Sequence, residues 1–212
     1  MKKDLTEIIC VIDKSGSMAP RTQDVIGGYN RFLEDQKKEK GGALLTLVLF
    51  DTDYKIIDSG IGITMAKGLT DHIYRAGGMT ALLDAVGRTI DKVGDRLAAT
   101  EEGKRPDKVI FLIITDGEEN SSREYNLDQV KGRIKSQQET FKWEFVFLGA
   151  DQDSFLSAGS MGINLSNVAN FQNTARGVEM AYASMSHTVS GYRESGKVDM
   201  SKFEETPDDK GG

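Results

Sequence analysis

Five oxygen-bearing side chains in three polar loops have the types and spacing to hold a divalent cation. They are Asp13, Ser15, Ser17, Thr80 and Asp116. Two carboxylates balance the charge of the ion, and three neutral hydroxyls leave it electrophilic, with a position for water or an outside acid. The residues of the first loop alternate, which lets their side chains converge, and Gly16 lets the backbone turn between the serines. The sequence therefore predicts a site for Mg²⁺ or Mn²⁺.

Other chemistries known at strand ends fit these loops less well. A GxxxxGK[ST] phosphate loop, a GxGxxG dinucleotide fingerprint and a GxSxG nucleophile turn are all absent. Neither of the two histidines, His72 and His187, falls in one of the loops, so no histidine base is at hand for a serine nucleophile. An aspartyl-phosphate route through Asp13 usually needs a second acidic residue two positions later, where this chain has Ser15.

Each loop taken alone also fits a structural interpretation. Asp, Ser and Gly favour turns and helix N-caps, and the pair Gly77-Gly78 fits a flexible turn. In open α/β sheets, ligands bind outside the carboxyl ends of the strands. The case for function therefore depends on all three loops lying at the same edge of one sheet.

Alternating strand and helix patterns predict the fold that must position the loops. The predicted strands are 5–12, 43–50, 54–63, 109–114, 145–148 and 162–168. The predicted helices are 19–38, 82–97, 127–134 and 171–189, with a short helix capped by Asp151 or Asp153. The turn at 51–53 makes a hairpin with an edge strand. We expect an α/β fold: a doubly wound, mostly parallel central sheet with one antiparallel edge strand and helices on both faces.

Composition limits the classes of protein to which the chain can belong. Its 212 residues are 38% hydrophobic and 28% charged, which suits one soluble domain, expected at residues 1–190. Residues 191–212 are expected to form a polar, loosely attached tail. The net charge of −6 argues against a general nucleic-acid binder. One cysteine, Cys10, excludes an intrachain disulfide and a cysteine-based zinc site.

No apolar segment is long enough to span a bilayer, and the N-terminal residues do not form a signal peptide. We therefore expect no membrane contact and a cytoplasmic location.

The three loops together resemble the von Willebrand factor A (VWA) domain over residues 5–190. The sequences Asp13-x-Ser15-x-Ser17, Gly-Gly-Met-Thr80 and Thr-Asp116-Gly occur in order, each in the strand-end context of that family. They look like its metal-ion-dependent adhesion site. Stand-alone VWA proteins of bacteria and phages are similar in size.

This resemblance implies a role for each residue of the site. Ser15, Ser17 and Thr80 would coordinate the ion through their hydroxyls, while Asp13 and Asp116 would contact it directly or through water. The ion would be Mg²⁺, with Mn²⁺ or Ca²⁺ as alternatives. In the family, a Glu or Asp of a partner protein commonly completes the coordination. The resemblance therefore implies a protein-interaction module without catalysis of its own.

Two alternative functions stay open. The first is a Mg²⁺-dependent hydrolase or phosphotransferase, with Glu118, Glu119 and Asp151 as the nearest candidate bases. The second is a metal-stabilised structural protein whose interaction surface lies elsewhere.

Several residues near the loops are assigned structural roles. A solvated loop is the expectation for Glu118 and Glu119. The acidic tail residues are expected to be solvated rather than bound to the ion; they are Glu204, Glu205, Asp208 and Asp209. Core packing and rim contact are equally compatible with Met18 and Met79, which flank the site.

Overall fold

A six-stranded sheet forms the centre of the protein in the computed structural model, which describes residues 1–150, 154–201 and 203. The strands are β1 (Lys2–Asp13), β2 (Gly42–Phe50), β3 (Tyr54–Gly62), β4 (Pro106–Thr115), β5 (Glu144–Gly149) and β6 (Val168–Asn170). The α-helices are α1 (Thr22–Lys38), α2 (Leu82–Ala99), α3 (Leu127–Phe141), α4 (Ser154–Ser160) and α5 (Ala175–Ser195).

The strand order is β3-β2-β1-β4-β5-β6, and β3 is antiparallel to β2 while the other neighbours are parallel. The predicted fold class is thereby confirmed. Because the order runs outward in both directions from β1, the polar loops after β1 and β4 emerge side by side at the carboxyl edge of the sheet.

The sheet is covered by helices on both faces, and the alternation along β1 shows how. Ile8, Cys10 and Ile12 face one apolar cluster, which α1 and α5 complete. Ile9 and Val11 face the other, which α2 and α3 complete. Successive side chains of a strand point to opposite faces, so a strand buried on both faces reads as a continuous apolar run.

Two predicted elements are displaced along the chain. The edge strand expected at 162–168 is wrong in position, because residues 165–167 form a 3-10 turn and β6 begins at Val168. The side chain of Asn164 accepts the backbone N–H of Ser166 and caps that turn. The first helix, expected from residue 19, begins at Thr22 after a 3-10 segment, Gly16–Arg21, that contains Pro20.

The last helix, α5, continues to Ser195, so the boundary expected at residue 190 lies inside it. Arg193 is buried and donates hydrogen bonds to the carbonyl oxygens of Gln36, Lys40 and Gly41, which ties the helix end to the chain after α1. Beyond the helix, three partly buried apolar side chains pack on the core: Val198, Met200 and Phe203.

Some expectations fall on residues outside the described part of the chain. They concern the helix cap at Asp151 or Asp153 and the acidic tail with Glu204, Glu205, Asp208 and Asp209. Among the described helices, none combines the length and the apolar character needed to cross a membrane.

Candidate metal centre

The first and third loops meet at the carboxyl edge of the sheet. The hydroxyl of Ser17 donates a hydrogen bond of 2.6 Å to Oδ1 of Asp116. The hydroxyl oxygens of Ser15 and Ser17 lie 3.0 Å apart. These residues are distant in sequence, so the parallel pairing of β1 and β4 is what brings them together.

The second loop brings its hydroxyl to the same place. A β-carbon built on Gly117 would lie 3.0 Å from Oγ1 of Thr80 and 3.6 Å from Oγ of Ser17. The two hydroxyls therefore border one small space beside the backbone of Gly117. A larger residue at position 117 would crowd that space. The structure thus brings Ser15, Ser17, Thr80 and Asp116 together.

Asp13 forms the buried floor of this cluster. Its carboxylate has no exposed surface and accepts the Ser15 N–H at 2.7 Å and the Thr115 hydroxyl at 2.6 Å. The pKa of Asp13 is raised to about 6, chiefly by burial and in small part by the charge of Asp116, against the lowering effect of these hydrogen bonds. A nearby cation would favour the ionised form, so this pair of carboxylates suits a positive ligand.

Lys14, the basic residue of the first loop, forms an ion pair outside the cluster. Lys14 pairs with Asp51 at the end of β2, and both side chains are largely buried. Lys14 and Asp51 therefore neutralise each other's charge. The carboxylates of Asp13 and Asp116 lie instead beside the hydroxyl groups of the candidate site.

Backbone hydrogen bonds tie the first loop to the second. The N–H of Gly16 donates to the carbonyl oxygen of Gly78 at 3.1 Å, and the N–H of Gly77 donates to that of Lys14 at 2.8 Å. Gly78 has φ of +73°, a conformation that glycine adopts at little cost. The glycine pair is therefore a shaped connection between the loops rather than a flexible turn.

The β2–β3 turn supports the second loop from the other side. The N–H of Ala81 donates to the carbonyl oxygen of Asp51 at 3.0 Å, and the N–H of Met79 donates to the Thr52 hydroxyl at 2.8 Å. The sequence predicts only a hairpin turn for this segment. Its composition, Asp-Thr-Asp, is ordinary for a turn and carries no signal of this additional role.

The third loop is held by its own acidic residue. The carboxylate of Glu119 accepts hydrogen bonds from the N–H groups of Leu83, Ser121 and Ser122 and from the Ser122 hydroxyl, at 2.6 to 2.9 Å. The solvated role expected for Glu119 is therefore wrong, because the carboxylate satisfies backbone donors at the start of α2. Glu118 is exposed, as expected.

Asn120 and Asn173 are contacts of the site that the sequence did not reveal. Asn120 and Thr80 exchange two hydrogen bonds, N–H to side-chain oxygen at 2.9 Å and N–H to carbonyl at 3.0 Å. Asn173, from the loop before α5, donates to Oδ2 of Asp116 at 3.1 Å. An asparagine in a loop has no distinguishing pattern, so these roles emerge only from the fold.

The two methionines that flank the site differ in exposure. Met18 is buried in the core, whereas Met79 is 51% exposed at the rim of the site. Met18 therefore packs the base of the first loop, and Met79 adds an adaptable apolar surface beside the hydroxyls.

The chemistry of the donor set fits a hard divalent ion. Within residues 1–150, 154–201 and 203, no group of three or more His, Cys, Asp or Glu side chains is arranged to hold a metal. The candidate site has a different composition, two carboxylates and three hydroxyls, all of them oxygen donors of the kind that Mg²⁺ and Mn²⁺ accept.

Comparison with protein-family models gives no match, and comparison with curated proteins gives none either. Solved structures do match. Proximal thread matrix protein 1 from the mussel byssus superposes with a TM-score of 0.61 at 13% identity, over 84% of this chain and 46% of that chain. A second structure of that protein, with a TM-score of 0.60 over the same shares at 13% identity, is described as having a zinc-occupied MIDAS motif.

Two bacterial structures are also similar. A von Willebrand factor type A protein from Catenulispora acidiphila has a TM-score of 0.53 at 16% identity, over 88% of this chain and 42% of that one. The protein BatB from Bacteroides thetaiotaomicron has a TM-score of 0.51 at 13% identity, over 90% of this chain and all of that one. The chain spans about half the length of the mussel protein. At these identities the likeness concerns the fold, and the chain has the VWA fold.

Proposed function

We propose that this protein is a divalent-metal-dependent protein-interaction module. Asp13, Ser15, Ser17, Thr80 and Asp116 would hold Mg²⁺, or Mn²⁺ or Ca²⁺, and a Glu or Asp of a partner protein would complete the coordination. The observation that carries the proposal is the convergence of three hydroxyls and two carboxylates from three loops on one edge of the sheet. The bound ion would supply a positive charge for the partner's carboxylate.

The two carboxylates of the site would have different roles in holding the ion. Asp13 is buried and fixed by hydrogen bonds from Ser15 and Thr115, so it anchors the inner side of the site. Asp116 is only partly buried and is held between Ser17 and Asn173, nearer the surface. Neutral hydroxyls between the carboxylates leave the ion attractive to an incoming acid.

The proposal includes no catalytic step. A hydrolase would need a base beside the ion, and Glu119 is occupied by four hydrogen bonds while Glu118 is exposed. His72 is exposed, and its Nδ1 lies 3.3 Å from the guanidinium of Arg75. The described residues therefore favour binding over turnover.

Metal binding is tested first, by titrating Mn²⁺ and following its electron paramagnetic resonance signal. Asp116→Asn removes a charge but keeps the shape, and we expect it to weaken Mn²⁺ binding by about 100-fold. Glu118→Gln removes a neighbouring charge that is exposed to solvent and therefore screened, and it should change the affinity by less than about threefold. Equal effects of the two substitutions would contradict the proposed ligand set.

Partner binding is tested next, by affinity capture from lysate with Mg²⁺ and with EDTA. We expect capture to be lost in EDTA and in Asp116→Asn, and retained in Glu118→Gln. Capture that persists in EDTA, in a protein that binds Mn²⁺, would favour a metal that only stabilises the fold.

A further inference from the structure

A groove of about 450 Å³ lies at the amino-terminal edge of the sheet, at the opposite end from the candidate metal centre. Its apolar surface comes from the ends of α2 and α3 and the starts of β4 and β5, with Leu97, Pro106, Phe141 and Trp143 among the lining residues. The volume is in the range of pockets that enclose small ligands or a few side chains.

The groove leaves large apolar side chains in contact with solvent. Phe141, the last residue of α3, is 62% exposed, and Met1 on the same groove is 69% exposed. Trp143 is almost fully buried beneath them and stacks on Phe145. Aromatic residues are enriched in protein interfaces, and exposed apolar patches rimmed by polar residues mark interaction sites.

The rim of the groove is acidic. Asp95, Glu102 and Asp107 line it, and none of them forms an ion pair with another described residue. Arg105 is the basic residue of the described lining. Its guanidinium donates to the carbonyl oxygens of Thr100 at 2.7 Å and Ala98 at 2.9 Å, so it is engaged with the end of α2.

Two helix ends border the groove, and basic side chains already cap both: Arg105 donates to the carbonyl oxygens of Ala98 and Thr100, and Lys142 donates to that of Glu139 at 2.7 Å. Both α2 and α3 have their carboxyl ends at the groove, at Ala99 and Phe141. The carboxyl end of a helix carries a partial negative charge, which attracts cations. The three rim carboxylates that form no ion pair, rather than the helix ends, therefore favour an occupant with a positive charge beside an apolar group.

We propose that this groove binds a short segment of a partner protein that carries a Lys or Arg next to a large apolar side chain. The apolar side chain packs between Phe141 and Trp143, and the positive charge lies among Asp95, Glu102 and Asp107. Charge complementarity at a surface of this kind selects the partner and fixes its register.

The groove acts independently of the metal centre. The ten residues of β4 separate the two ends of the sheet by about 30 Å, so a ligand in the groove does not reach the ion. This inference does not depend on the proposed function, and its test is therefore done in EDTA.

The test uses the chain's single tryptophan, Trp143, as a fluorescent reporter. The probes are the capped peptide Ac-Gly-Leu-Lys-Phe-Gly-NH₂ and its analogue with Glu in place of Lys. We expect the Lys peptide to change the Trp143 emission and to bind at least tenfold more tightly than the Glu peptide. Equal affinities, or no change in emission with either peptide at millimolar concentration, would overturn the proposal.

Substitutions of groove residues test whether the peptide binds in the groove. Phe141→Ser and Asp95→Asn should each weaken binding of the Lys peptide at least fivefold. Met65→Ser is the matched control, because Met65 is 75% exposed and does not line the groove. Binding that is unchanged by Phe141→Ser, or equally weakened by Met65→Ser, would contradict the assignment.

Discussion

The two ends of the sheet are built by different physical means. At the carboxyl end, three loops are joined by hydrogen bonds, and the side chains that would bind the ion are small and polar. At the amino-terminal end, the groove is formed by packed helix ends and bordered by carboxylates. The first end depends on position to within a fraction of an ångström, and the second depends on apolar area and net charge.

This difference predicts how each end responds to substitution. A change in one loop of the metal centre is transmitted to the others, because each loop uses its neighbours as hydrogen-bond partners. A change in the groove removes local contact area and leaves the sheet as it was. The following experiments compare the two ends, in order of decreasing effect.

Lys14→Met tests the ion pair that joins the first loop to the β2–β3 turn. Because Lys14 and Asp51 are 14% and 11% exposed, losing one partner leaves a mostly buried charge unpaired. We expect the free energy of unfolding to fall by about 3 kcal/mol, measured by urea denaturation. Lys37→Met breaks the more exposed pair with Glu34, whose side chains are 22% and 60% exposed, and should cost less than about 1 kcal/mol. Equal losses of unfolding free energy in the two variants would show that the Lys14–Asp51 pair does not support the first loop.

Metal binding should stabilise the carboxyl end and, through it, the whole fold. At a Mg²⁺ concentration 100 times its Kd, the free energy of unfolding should rise by about 2.7 kcal/mol. The same Mg²⁺ concentration should have little effect on Asp116→Asn and its full effect on the groove variant Phe141→Ser. Thermal unfolding followed by circular dichroism measures all three, and stabilisation of Asp116→Asn would contradict the assignment.

Gly78→Ala tests the shape of the connection between the first two loops. Gly78 has φ of +73°, and a β-carbon there would lie 2.9 Å from Oγ1 of Thr52. We expect a cost of about 1–2 kcal/mol in unfolding free energy and weaker Mn²⁺ binding, because the Thr80 loop must shift. Gly77→Ala is the neighbouring control: its β-carbon would meet nothing within 4 Å. If Gly78→Ala changed neither the free energy of unfolding nor the Mn²⁺ affinity, the proposed role of Gly78 in joining the first two loops would be wrong.

Phe141→Ser should have the smallest effect on stability. The side chain is exposed at the end of α3, so we expect the free energy of unfolding to change by no more than about 0.5 kcal/mol. Mn²⁺ affinity should not change. A loss of more than about 2 kcal/mol in urea denaturation would mean that the aromatic ring supports the fold rather than a contact surface.

The sequence predicted the parts of the site that depend on strand order. Apolar runs such as 109–114 are buried on both faces, which identifies them as central strands, and the polar residues that follow must then lie at one edge. This reasoning placed Ser17 and Asp116 together, and the structure joins them by a hydrogen bond. The hairpin prediction likewise gave the antiparallel edge strand β3 correctly.

The supporting contacts were not predictable in the same way. The Lys14–Asp51 pair, the Thr52 hydroxyl and the Asn173 amide each act on a loop that is distant in sequence. Their residue types are common in turns, where local hydrogen bonding is the usual explanation. The groove also carried no sequence signal, because it arises where two helices end at the same place, and helix ends are the least certain positions in a sequence.

The position of Cys10 has a practical consequence for labelling experiments. The chain's sole thiol is fully buried in β1, which pairs with β2 on one side and β4 on the other. Burial raises the pKa of Cys10, so the reactive thiolate forms only after the central strand has separated from its neighbours. Its modification rate therefore counts opening events of the sheet. A probe attached to a newly introduced surface cysteine, at either end of the molecule, would be selective without removal of the native one.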